Sequence, residues 1–101
     1  MLALRVVAVG GRAFVNSLRL AGAGGVVAET AEEAARCINR LVQDPGVGLI
    51  IVSDEYGEDF SRRLNEIRSR ITMPIIYEMP APGSRVGHID YRAVLRQVLG
   101  I

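Results

Sequence analysis

Lysine is missing from this sequence, so all twelve of its basic residues are arginine. That excludes Schiff-base chemistry, a P-loop phosphate lysine and the lysine that senses a phosphoryl group in receiver domains. Cysteine occurs once, at Cys37, which excludes an internal disulfide and favours a reducing compartment. The one histidine, His88, has no second ligand at metal spacing and no Ser or Cys partner nearby in sequence, so it reads as a solvated loop side chain. A charge excess is also missing: twelve basic against eleven acidic residues leave +1. Such a balance gives no strong electrostatic case for nucleic acid or an anionic membrane. No apolar run approaches the roughly 18–20 residues that span a bilayer. The opening Met1-Leu2-Ala3-Leu4-Arg5 has no basic region ahead of its apolar stretch, so it does not read as a signal peptide. The expectation is a cytoplasmic protein without membrane insertion.

The 101 residues suit one domain, and half of them are hydrophobic while 23% are charged. The apolar periods alternate in kind along the chain. Leu4 to Val9 is a β-branched run ended by Gly10-Gly11, which predicts a buried strand. From Ala13 to Ala21, Phe14, Val15, Leu18 and Ala21 fit one helical face, and Gly22 supplies the stop. Gly25-Val26-Val27-Ala28 predicts a second, short strand. Thr30-Ala31-Glu32-Glu33 is a capping box, in which the Thr30 hydroxyl accepts from the Glu33 backbone and the Glu33 side chain returns a bond to Thr30. The helix it opens ends before Asp44-Pro45-Gly46, with Cys37 on the flank of its apolar face.

Val47 to Val52 is the most hydrophobic stretch and predicts a central strand. Ser53-Asp54-Glu55 follows, then a helix carrying Phe60, Leu64, Ile67 and Ile71, broken at Met73-Pro74. Ile75 to Met79 predicts a fourth strand. Pro80 to Gly87 has the composition of a linker, and Asp90 can cap a last helix with Tyr91, Val94, Leu95, Val98 and Leu99 on one side. The order βαβαβαβ predicts an α/β, Rossmann-like fold of the flavodoxin or receiver kind: a four-stranded parallel sheet with flanking helices and a tethered C-terminal helix. The expected division is a sheet domain over 1–79, a linker over 80–89 and a partner-binding helix over 90–101.

Ligands of open α/β sheets bind at the carboxyl ends of the strands. Gly10-Gly11-Arg12-Ala13-Phe14 has two glycines of a dinucleotide motif and lacks the third, and Phe14 would crowd the phosphates. Asp54 follows the third strand, where receivers are phosphorylated. The first-strand loop, however, offers Arg12 in place of acidic magnesium ligands. Asp54, Glu55, Glu58 and Asp59 gather negative charge where a helix macrodipole favours it, which accounts for them without a function. No catalytic residue, cofactor site or metal site is assigned.

About ten residues of terminal helix are marginal in water on their own. Its apolar stripe is worth roughly 6–12 kcal/mol gross if buried, enough to decide where the helix docks. It can cover a face of its own sheet, or be offered to another protein.

The chain resembles the F subunit of the V/A-type rotary ATPases and ATP synthases over essentially its whole length. Val9-Gly10 with Leu18-Arg19-Leu20-Ala21-Gly22 is similar to the family's first strand, turn and helix end. Thr30 to Glu33 resembles its Glu-rich second helix start, and Gly48 to Glu55 its third strand. Pro74-Ile75-Ile76-Tyr77-Glu78-Met79-Pro80 is the most specific match, and Tyr91 to Ile101 resembles the terminal helix. Gly11, where the family commonly has Asp, and Ser17-Leu18, in place of Gly-Phe, depart from the pattern. The resemblance implies a non-catalytic component of the central rotor stalk, peripheral to the membrane. Its partners would be the coiled coil of the D subunit and the A/B catalytic head, and it would couple ATP synthesis or hydrolysis to H⁺ or Na⁺ transport. It further implies Tyr91, Val94, Leu95, Val98 and Leu99 as the partner-facing stripe. Asp54, Glu55 and Glu58 are a possible secondary interface. The alternatives are a degenerate receiver-like signalling or small-ligand sensor domain, and a small flavodoxin-like enzyme.

Overall fold

The computed structural model describes residues 4–80. The predicted linker beyond Pro80 and the terminal helix, with His88, Tyr91, Val94, Leu95, Val98 and Leu99, lie outside the described residues. Four strands, β1 (Arg5–Gly10), β2 (Gly24–Val27), β3 (Val47–Ser53) and β4 (Ile75–Met79), alternate with three helices, α1 (Arg12–Leu20), α2 (Ala31–Leu41) and α3 (Glu58–Arg70). All neighbouring strands are parallel, in the order β2-β1-β3-β4.

In that order the chain steps outward from β1 to β2, then returns past β1 to β3 and continues to β4, and right-handed crossovers then fix the face each helix takes. Helices α2 and α3 therefore share one face and α1 takes the other. Against the first face pack Ala34, Cys37, Ile38, Phe60 and Leu64 over Val7, Val9, Ile50, Val52 and Ile76. Against the second pack Phe14, Val15 and Leu18 over Ala8, Leu49 and Ile51. All seven residues of β3 are buried, as the continuous apolar run requires of a strand covered on both sides. An irregular register between Arg5 and Val6 opposes the pair to Val47 and Leu49, so Gly48 is extra and Val47 joins Ile50 and Val52 on one face.

Local signals set the ends. Ala21 and left-handed Gly22 close α1, and Thr30 accepts from the Glu33 N–H at 3.1 Å to open α2. The return bond of the capping box is displaced by one residue: the Glu33 carboxylate accepts from the Glu29 N–H rather than from Thr30. Cys37 is buried against the sheet and is not a flank residue, because it follows Ala34 by one turn on the inward stripe. Asp54 and Glu55 do not open the third helix. With Tyr56 they form a separate 3₁₀ turn, and α3 starts at Glu58. Ile71 lies just past α3 in extended backbone and still packs on the α2–α3 core.

Candidate functional site

The parallel strands bring Gly10-Gly11, Ala28-Glu29, Ser53-Asp54-Glu55 and Met79-Pro80 to one end of the sheet, and the direction of winding reverses between β1 and β3. This is where an α/β sheet opens a crevice for a ligand. Among the described residues, Glu55 and Phe14 pack into this crevice. The Glu55 carboxylate accepts the Gly11 N–H at 3.2 Å, at the start of α1, and the hydroxyl of the buried Ser53. Phe14 is buried beneath Gly10, so close that a Cβ on Gly10 would stand 2.4 Å from its ring. A Cβ on Gly11 would stand 2.5 Å from a Glu55 oxygen. The two glycines thus end β1 and permit close packing within the chain.

A second closure joins the β2 and β3 loops. The Tyr56 hydroxyl donates to the Ala28 carbonyl at 2.6 Å, and its ring packs on Phe60 at 5.0 Å between centroids. Burial first, and the Glu55 charge second, push the Tyr56 hydroxyl well above its ordinary titration range. Ala28 in turn donates its N–H to the Gly10 carbonyl at 2.9 Å. At this end of the sheet the loops after β1, β2 and β3 are joined to one another by hydrogen bonds. Among the described residues no three of His, Cys, Asp and Glu converge as metal ligands would.

The carboxylates singled out from the sequence separate into two roles. Asp54, Glu55 and Glu58 are all exposed, and Glu29, Glu32 and Asp59 join them on the same acidic end. The Glu55 carboxylate is held by Gly11 and Ser53 and so shapes the loop that carries Asp54. Asp54 sits in the 3₁₀ turn directly after β3, and Arg12 opens α1 after β1, where a receiver would carry acidic magnesium ligands. Sequence reasoning missed Ser53 and Tyr56, because their partners are distant in sequence and a lone serine or tyrosine carries no period.

An apolar patch lies beside β4. Ile75 and Tyr77 of β4 are exposed on the α1 side of the sheet, beside exposed Leu4 and Met73. A shallow depression of about 290 Å³ there is lined by Leu4, Arg5, Val6, Gly48, Leu49, Met73 and Ile75. Helix α1 lies mainly over β1 and β2 and packs in one cluster with Leu49 and Ile51 of β3, while Ile75 and Tyr77 of β4 stay exposed. No helix among those residues is long and apolar enough to cross a membrane.

Comparison with known proteins extends over nearly the whole chain. The sequence profile of the family described as "ATP synthase (F/14-kDa) subunit" matches residues 6–98. The chain is similar to the F subunit of the A-type ATP synthase of Methanothermobacter thermautotrophicus, with 32% identity over 95% of this chain and 92% of that protein. It is also similar to the F subunit of the A-type ATP synthase of Methanocaldococcus jannaschii, with 27% identity over 97% of each.

Proposed function

Because the chain belongs to the family of ATP synthase F, or 14-kDa, subunits, we propose that it is the non-catalytic central-stalk component of an A-type rotary ATP synthase. It binds the coiled coil of the D subunit and couples ATP synthesis or hydrolysis to transport of H⁺ or Na⁺. The observation that carries this reading is a family match running from the first strand to residue 98. The filled crevice supports it: Glu55 and Phe14 occupy the place where an α/β enzyme of this winding would hold substrate.

On this reading the α/β body is a compact knob and residues 90–101 are its main contact. Tyr91, Val94, Leu95, Val98 and Leu99 recur at helical spacing. They would seat on a neighbouring helix in the manner of an amphipathic segment in a groove. Asp54 and Glu58, exposed on the acidic end, form a secondary contact for a basic stretch of the partner. The protein sits peripherally in the membrane-associated complex.

Co-expression with the D subunit of the same organism tests this. The expected result is a stable 1:1 complex that Val94→Asp with Val98→Asp weakens at least tenfold, with the far-ultraviolet dichroism of the α/β body retained. Unchanged affinity would move the interface away from the terminal stripe. Failure to form any complex with the D subunit would refute the assignment itself.

A further inference from the structure

The two edges of the sheet are protected unequally. β2 is four residues long, two of them glycine, and the Arg19 guanidinium donates to the Gly25 carbonyl at 3.1 Å. Short strands and capping side chains are how proteins keep an edge from pairing with other chains. β4, at the other edge, pairs with β3 alone among the described residues. It carries Ile75, Ile76, Tyr77 and Met79, with Ile75 55% and Tyr77 39% exposed. Lysine, the common guard of such edges, is missing from the chain. The strand's one charge, Glu78, points toward α3, where the Ser61 hydroxyl donates to it at 2.6 Å.

The strand is also self-complementary. In an antiparallel pair, residues opposite one another either both direct their backbone groups across the gap or both direct them away. A two-fold axis must therefore pass through a residue. Pro74 and Pro80 bracket β4, and proline contributes no N–H to a ladder. An axis through Tyr77 pairs all five residues: Ile75 with Met79, Ile76 with Glu78, and Tyr77 with itself. Moving it to Glu78 would set two carboxylates opposite each other, and moving it to Ile76 would put Pro74 against Glu78.

We infer that β4 is a self-association edge, at which a second copy of this chain adds antiparallel to β4 about Tyr77, fusing two four-stranded sheets into one. The axis stands perpendicular to the sheet, so the open α1 sides of both copies share a face. The exposed Ile75 and Tyr77 then merge into one apolar surface. The contact is isologous and closes on itself, and the capped β2 edge at each end stops further growth. Five residue pairs make a weak dimer that depends on concentration. This state belongs to the free chain and does not rest on its place in the ATP synthase.

Directed crosslinking tests the register. Facing residues on the axis lie about 4.5–5.5 Å apart between Cα atoms, inside the roughly 4.4–6.8 Å that a disulfide spans. Ile75 and its copy would be four residues out of register, about 14 Å apart. With the full chain carrying Cys37→Ala, Tyr77→Cys should crosslink under mild oxidation to twice the 10.9 kDa monomer mass. Ile75→Cys, at a more exposed site, should stay at least tenfold behind it. Sedimentation of the unmodified chain should show dimer at millimolar concentration that Tyr77→Lys abolishes. A monomer at every concentration overturns the inference, as would follow if residues 81–101 cover this edge. Equal crosslinking at both positions, or a dimer indifferent to Tyr77→Lys, overturns it as well.

Discussion

The Glu55 carboxylate accepts the backbone N–H of Gly11, 44 positions earlier in the chain, and fastens the loop after β3 to the start of α1. The same oxygen accepts the hydroxyl of Ser53, which is fully buried. One side chain thereby satisfies an orphan helix N–H and a buried hydroxyl, while filling the crevice that enzymes of this winding leave open for a ligand.

Replacing that carboxylate should destabilise the body. Glu55→Ala leaves Ser53 without its acceptor, at a cost of about 1–3 kcal/mol. For a domain of this size each kilocalorie lowers the melting temperature by about 4–8 °C. Glu55→Gln keeps an acceptor oxygen and should lose markedly less. Urea denaturation of the two variants, with Ser53→Ala as the partner in a double-mutant cycle, measures the difference.

A methyl group at Gly10 should be poorly tolerated. It would stand 2.4 Å from the Phe14 ring and 2.8 Å from Ser53 Cβ, both buried. Gly10→Ala should therefore cost about 1–3 kcal/mol by overpacking. Shrinking the ring, in Gly10→Ala with Phe14→Leu, should recover part of that loss relative to the sum of the single variants. Non-additive chemical denaturation would establish that the glycine serves packing.

The N-terminus of α2 offers a smaller, local effect. Thr30→Ala removes the acceptor of the Glu33 N–H and should cost about 1 kcal/mol. Hydrogen exchange at the Glu33 amide should accelerate selectively, with the amides of β3 unchanged. Glu33→Ala should instead expose the Glu29 amide, since that is where its carboxylate bonds.

Acid stability should respond to Asp44. The Gly46 N–H, at 2.8 Å, is the main influence holding its carboxyl below the ordinary 3.8, and the neighbouring Arg5 guanidinium adds to it. A carboxyl depressed in the folded state stabilises above its unfolded pKa, and that contribution fades as pH falls through the folded value. Thermal melts of the parent should therefore lose stability on acidification below about pH 4. Asp44→Asn should remove one component of that loss, giving a shallower slope in the same window and a lower melting temperature at neutral pH.

Every strand and helix among the described residues was legible from local pattern. The β3 run Val47 to Val52 is apolar at each position because both faces are covered, and the α1 stripe of Phe14, Val15 and Leu18 needs only its spacing. Thr30 announced the start of α2 and Gly22 the end of α1, since caps act within one turn of the residues they serve. The 3₁₀ turn at Asp54–Tyr56 was not legible, because three residues are too few to set a period.

Reading the residues in order was thus enough for the parallel α/β layering, the absence of lysine chemistry and the resemblance that the family match bears out. It took the folded arrangement to show that Glu55 turns inward to Gly11, that Tyr56 reaches Ala28, and that Ile75 and Tyr77 are exposed in a run that reads as core. The difference is one of range. Periodicity and capping are set by neighbours a few residues away, whereas a crevice is filled, or a strand face left open, by whichever segments the crossovers bring together in space.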